Sequence, residues 1–121
     1  MGTFFDGPSP DARPLAIERR VKGASAIFAC RGWFSLSTHP QLDELLRMIR
    51  DEGARKIVLD LREVTYIDSV GVGTLAIILK YSITSSQALV LVCGNSVRDV
   101  LTASSLDVAF RFAPSVDAAL L

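Results

Sequence analysis

Histidine, cysteine and long apolar runs are scarce in this sequence. It holds one histidine, His39, and two cysteines, Cys30 and Cys93. His39 is expected to be an ordinary residue at the start of a helix. Asp60 and Asp68 could together hold a metal ion, but no third carboxylate or imidazole has a helpful spacing, so the sequence offers little from which to build an active site or a metal centre. The cysteines lie far apart in strand-like segments, which is typical of reduced core thiols in a cytoplasmic protein. We therefore expect neither enzymatic activity nor a cofactor.

The sequence also lacks net charge and any export or membrane signal. Its 13 basic and 13 acidic residues cancel, and no run of like charge exceeds two residues. This distribution excludes a basic patch for nucleic acid or anionic lipid. The longest apolar run, around residues 75–79, is shorter than the roughly 20 residues that span a bilayer. The N-terminus has no basic region followed by an apolar one. We expect neither nucleic-acid binding nor membrane insertion.

With 121 residues the chain has room for one domain. Residues 1–14 are rich in proline and glycine and are predicted to form a flexible leader, which leaves 15–121 for the domain. The remaining pattern predicts two strands, helix, strand, helix, strand, helix, strand, helix. Inner strands that are apolar on both faces and separated by helices favour a mostly parallel sheet. The predicted fold is α/β, with a mixed sheet of four to five strands, an N-terminal hairpin and about four helices.

Several local features predict where elements begin and end. A buried strand at 56–61 is expected to give way to a polar link at 62–67, and the last strand is expected at 106–112. Thr38 and Gln41 have the spacing of a capping box for the first helix. Asn95 or Ser96 is expected to cap a later short helix.

The stretch from Asp68 to Gly73 joins the central strand to the most apolar helix. Asp68 or Ser69 is a natural N-cap. Unpaired backbone N–H groups and the helix dipole favour added negative charge at such a position, which makes Ser69 a candidate phosphoacceptor. Alternatively, Asp68 and Ser69 only cap the helix, while Gly71 and Gly73 let it start close against the sheet.

This helix carries two apolar stripes. The stripe expected to face the core contains Val72, Leu75, Ala76, Leu79 and Ile83. The second, roughly opposite, contains Val70, Thr74, Ile77 and Tyr81. Because the second stripe is too apolar for plain solvent exposure, we expect it to be covered by a neighbouring helix or to serve as a docking surface for a partner. Residues 71–76 also match the dinucleotide fingerprint G-x-G-x-x-G/A, but they begin about ten residues after the strand at 56–61, so the match is weak.

The run from Ile57 to Leu61, then V-T-Y-I-D-S-V-G-V-G at 64–73, resembles the signature region of STAS domains, notably bacterial anti-sigma-factor antagonists. These open a helix with D-S-S/T-G-L-G, and the resemblance covers about residues 15–121. It implies that Ser69 is phosphorylated by an anti-sigma factor that is a serine kinase. Unmodified protein would bind this kinase and free a sigma factor, and a serine phosphatase would restore binding.

Two positions depart from that pattern. Val70 replaces the second hydroxyl residue of the motif. A G-E-L/V-D stretch that is frequent after the second strand of family members reads Gly32-Trp33-Phe34-Ser35 here, so both acidic positions are lost.

The resemblance implies an anti-sigma-factor antagonist, a cytoplasmic phosphoprotein that switches partners in transcription regulation. The predicted partner-binding residues are Asp68, Ser69, Val70, Gly71, Val72, Gly73, Thr74, Ile77 and Tyr81. Two alternatives stay open: a constitutive STAS subunit docked on a transporter ATPase, and a nucleotide-responsive module. A homodimer also stays open.

Overall fold

A computed structural model describes residues 15–121, which form five strands and four helices. The strands are β1 (Ala16–Lys22), β2 (Ser25–Phe34), β3 (Lys56–Ile67), β4 (Ala88–Cys93) and β5 (Arg111–Phe112); the helices are α1 (His39–Glu52), α2 (Ser69–Thr84), α3 (Asn95–Ala103) and α4 (Val116–Ala119). The sheet order is β1-β2-β3-β4-β5, with β1 antiparallel to β2 and all other pairs parallel. The predicted mixed α/β fold with an N-terminal hairpin is confirmed. The predicted leader lies outside the described residues.

The inner strands bury side chains on both faces of the sheet. On one face, residues such as Phe28, Leu59 and Leu91 belong to a core shared with α1, α2 and α3. On the other, Val58 and Val90 belong to a smaller cluster that includes α4. Because β2, β3 and β4 run parallel, the loops that lead from them into α1, α2 and α3 meet at the carboxyl edge of the sheet. No helix in the described range is long and apolar enough to cross a membrane.

The predicted polar link at 62–67 is wrong, because β3 continues to Ile67. Beyond Leu61 the buried positions are Val64 and Ile67, a spacing of three that does not resemble a half-buried strand. The spacing accompanies register shifts in the pairing of β2 with β3, including one between Gly32 and Trp33. Gly32 has φ 124°, a backbone conformation that favours glycine.

Three further boundary predictions are corrected. The expected strand at 106–112 shrinks to Arg111–Phe112, because Asp107–Ala109 forms a 3-10 turn. The capping box joins Ser35 to Thr38 rather than Thr38 to Gln41, and it caps a 3-10 turn that precedes α1. Gly94 is the N-cap of α3, without a side-chain hydrogen bond.

Candidate functional site

Asp68 organises the junction between β3 and α2. Its backbone is extended, and its Oδ1 accepts hydrogen bonds from the backbone N–H groups of Val70 (2.9 Å) and Gly71 (3.1 Å). Its Oδ2 accepts from the N–H of Leu36, 3.1 Å away in the loop between β2 and α1. Asp68 is therefore the N-cap of α2 and also ties two loops together at the carboxyl edge of the sheet.

Ser69 is the first residue of α2, and its side chain is exposed. The hydroxyl lies at the positive end of a 16-residue helix, where added negative charge is favoured. Asp68 already satisfies two of the free N–H groups of the first turn. The cap and the exposed hydroxyl are thus provided by two different, adjacent side chains.

The two glycines of the junction have different roles. A Cβ at Gly71 would lie 2.2 Å from the carbonyl oxygen of Phe34 and 2.8 Å from Cγ1 of Ile67. A Cβ at Gly73 would meet no atom within 4 Å. Gly71 therefore lets α2 start against β2, as the structural alternative expected, whereas Gly73 does not lie against the sheet.

The faces of α2 differ from the predicted stripes. The buried positions are Gly71, Thr74, Leu75, Ile78 and Ser82. The exposed positions are Ser69, Gly73, Ala76, Ile77, Lys80, Ile83 and Thr84. Ala76 and Ile83, which were assigned to the core, face solvent. The helix is apolar on all sides, so its periodicity could not identify the buried face.

The residues of the second predicted stripe of α2 are not all exposed. Thr74 is buried, and its hydroxyl donates to the carbonyl of Val70 at 3.0 Å, so it offers no side chain to a partner. Val70 and Tyr81 are partly buried against the core, and the Tyr81 hydroxyl donates to the carbonyl of Arg50 in α1 at 3.3 Å. Ile77 remains accessible, with 52% of its surface exposed. We call Ser69, Gly73, Ala76 and Ile77 the outer face of α2.

Sequence reasoning missed an apolar surface beside Ser69. Leu36, whose N–H is bound by Asp68, is 68% exposed, and Tyr66 is 47% exposed. The ring of Tyr66 packs on that of Trp33, with centroids 5.2 Å apart and a tilt of 54°. We call Trp33, Leu36 and Tyr66 the apolar ledge. Three apolar residues near the ends of β2 and β3 were the available signal, but sequence alone could not show that they are partly exposed.

Asp60 and Arg62 form an ion pair on β3. Arg62 donates to Asp60 through both Nε and a terminal nitrogen, each at 2.8 Å. These hydrogen bonds hold the pKa of Asp60 below its ordinary value.

Burial, with a smaller effect from the Asp60 charge, raises the pKa of the Cys30 thiol to about 12, so this thiol is not a nucleophile at neutral pH. Among residues 15–121, no cluster of histidine, cysteine and carboxylate side chains could hold a metal ion.

Comparison with known families identifies the domain. A model of the STAS domain family matches residues 16–119. The chain belongs to the STAS domain family. The match covers all five strands and the helices α1 to α4, so the resemblance expected from the 57–73 motif holds for the domain as a whole.

Solved structures agree with this assignment. An anti-sigma factor antagonist from Mycobacterium paratuberculosis superposes with a TM-score of 0.80 at 22% identity, covering 93% of this chain and 94% of that one. The unphosphorylated anti-sigma factor antagonist SpoIIAA gives 0.68 at 17% identity, covering 85% and 92%. An RsbS variant from Moorella thermoacetica gives 0.71 at 19% identity, covering 86% and 91%. At these identities the likeness demonstrates a shared fold.

Proposed function

We propose that this STAS domain is a non-enzymatic anti-sigma-factor antagonist controlled by phosphorylation of Ser69. The unmodified protein binds an anti-sigma factor through the Ser69 junction and the outer face of α2. The observation that carries the proposal is that Ser69 is exposed at the first turn of α2, beside a carboxylate that already caps the helix. Two anti-sigma factor antagonists among the solved structures with this fold support the assignment.

The local geometry allows the fold to accept a phosphate. The Asp68 carboxylate, not the Ser69 hydroxyl, holds the N–H groups of Val70 and Gly71, so modification of Ser69 removes no capping hydrogen bond. The phosphate also lies at the positive end of the α2 dipole. We therefore expect phosphorylated protein to stay folded.

A docked partner responds differently to the same modification. Phosphate adds about −1.5 to −2 charges at pH 7, next to the charge of Asp68. A surface complementary to the unmodified junction would have to desolvate this charge or place its own groups against it. Such mismatches cost several kcal/mol, and each 1.4 kcal/mol lowers affinity about tenfold. One phosphate is enough to release the partner.

The anti-sigma factor itself would catalyse transfer of the phosphoryl group from ATP to Ser69. In that reaction the Ser69 oxygen attacks the γ-phosphorus of ATP, ADP leaves, and the hydroxyl proton passes to a base on the kinase. A serine phosphatase would return the hydroxyl by hydrolysis. In this proposal the domain provides only the acceptor.

The test is to incubate the purified chain with ATP, Mg²⁺ and, in turn, each anti-sigma factor kinase encoded in its source genome. We expect mass spectrometry to find one phosphoryl group on Ser69, and none on Ser69→Ala. Ser69→Asp should bind the same kinase at least about 100-fold more weakly. Ser96→Asp is the matched control, because Ser96 is also exposed in the first turn of a helix at the same edge. Absence of phosphate, together with equal affinity of wild type and Ser69→Asp, would refute the proposal.

A further inference from the structure

We propose that the apolar ledge of Trp33, Leu36 and Tyr66 is a second part of the docking surface and contacts an uncharged, apolar patch on the anti-sigma partner. This inference rests on the proposed function and specifies how that partner is recognised. The recognition it describes does not depend on acidic residues in the loop after β2, because this chain has none there.

The ledge is linked to the start of α2 through Asp68. The N–H of Leu36 donates to Asp68, and Asp68 caps the helix that Ser69 begins. Tyr66 precedes Asp68 by two residues and lies opposite Trp33 in the pairing of β2 with β3. Ser69 and the ledge therefore lie on neighbouring connections at the carboxyl edge of the sheet.

The capping loop holds the ledge in place. The hydroxyl of Thr38 donates to the carbonyl of Trp33 at 2.6 Å, and the backbone N–H of Ser35 donates to the hydroxyl of Thr38 at 3.1 Å. Ser35 and Thr38 are both buried. Leu36 is exposed from a loop that is fixed on both sides, so little conformational entropy is lost when a partner covers it.

The charge distribution indicates what kind of partner fits. Across residues 33–37 and 66–77 the only charged side chain is Asp68, and both of its oxygens accept backbone hydrogen bonds. A basic patch on the partner would find no free carboxylate here, whereas an apolar patch would bury the exposed parts of Leu36 and Tyr66. Exposed aromatic residues in a fixed setting are typical interface hot spots.

The experiment measures affinity for the kinase that phosphorylates Ser69, using wild type, Leu36→Ala, Tyr66→Ala and Ser69→Asp. Val108→Ala is the control, because Val108 is an apolar residue that is 87% exposed beside β5, away from the ledge. We expect Leu36→Ala and Tyr66→Ala each to weaken binding at least about 30-fold, as hot-spot truncations do, and Val108→Ala to bind like wild type. Raising ionic strength from about 0.05 M to about 0.5 M should change wild-type affinity less than about threefold, because few charges are involved.

The outcomes separate this inference from the proposed function. If Ser69→Asp abolishes binding while Leu36→Ala and Tyr66→Ala bind like wild type, the ledge is not part of the interface and the phosphorylation switch stands. A steep loss of affinity with salt would likewise refute an apolar contact. If Ser69→Asp binds like wild type and no kinase modifies Ser69, the switch fails and this inference fails with it. Thermal unfolding of each variant checks that both truncations, made at exposed positions, leave the fold intact.

Discussion

Two connections at the carboxyl edge of the sheet, β3 to α2 and β4 to α3, place an exposed serine in the first turn of a helix. Ser69 follows the first and Ser96 the second. At the first, the Asp68 side chain accepts hydrogen bonds from three backbone N–H groups, two in the first turn of α2 and one, that of Leu36, between β2 and α1. At the second, the N-cap is Gly94, without a side-chain hydrogen bond. A serine at a helix start is therefore common to both, and side-chain anchoring of the loop distinguishes the candidate site.

The start of α2 is also packed more closely against the sheet than the start of α3. At the first connection a Cβ on Gly71 would overlap the backbone of β2, whereas a Cβ on Gly94 would lie 3.8 Å from the Arg62 carbonyl, an ordinary contact. The start of α2 is thus held by the cap and by direct backbone approach. A kinase that must align a hydroxyl with ATP benefits from such a fixed acceptor, since orientation is a large part of phosphoryl transfer.

Among the variants that test this difference between the two helix starts, Gly71→Ala is expected to lower the free energy of unfolding most. The added methyl would lie 2.2 Å from the Phe34 carbonyl oxygen, so α2 must shift away from β2. We expect a loss of at least about 3 kcal/mol in the free energy of unfolding, measured by urea denaturation. Gly94→Ala, at the corresponding helix start, should cost less than about 1 kcal/mol. Equal losses for the two variants would show that the start of α2 is no more tightly packed than that of α3.

A smaller effect is expected from Asp68→Ala. This variant leaves the N–H groups of Val70, Gly71 and Leu36 without their partner, and loss of a side-chain N-cap costs about 1–2 kcal/mol. Asn95→Ala at the β4 to α3 connection should cost less than about 0.5 kcal/mol, because α3 has no side-chain cap. Urea denaturation measures both. If Asp68→Ala and wild type have the same urea midpoint of unfolding, the Asp68 cap does not anchor the junction.

Much of the fold could be predicted from the sequence, because the strands are strongly apolar and capping residues, glycine and proline mark where the helices begin and end. Few folds are compatible with such a pattern. The mixed, mostly parallel sheet with its hairpin follows from such local signals, and so does an N-cap at Asp68 or Ser69, which is Asp68 in the structure. The end of β3 could not be predicted, since the shifts in register at Gly32 replace the alternation of a strand by a spacing of three. The exposure of Ser69 agrees with expectation, while its role as phosphoacceptor remains a prediction.

The buried face of α2 was the main error at the candidate site, and its cause is physical. Amphipathic periodicity identifies a buried face only when the opposite face is polar, and α2 carries isoleucine or leucine on nearly every side. Packing against β2 and α1 decides the orientation instead. Gly71 can lie against Phe34 only because it has no side chain, and that close approach turns Thr74 inward and Ile83 outward.

Gly73→Ala, which should change stability less than Gly71→Ala or Asp68→Ala, separates the stability of α2 from its use as a surface. Gly73 lies inside the helix with no atom within 4 Å of an added Cβ, so alanine should raise the free energy of unfolding by about 0.5–1 kcal/mol through its higher helix propensity. The same methyl would stand on the outer face one turn from Ser69. If a partner packs closely there, this more stable variant binds its kinase more weakly than wild type does. A gain in stability with unchanged affinity would exclude Gly73 from the interface. A loss of stability would contradict the observation that an added Cβ meets no atom at Gly73 but overlaps Phe34 at Gly71.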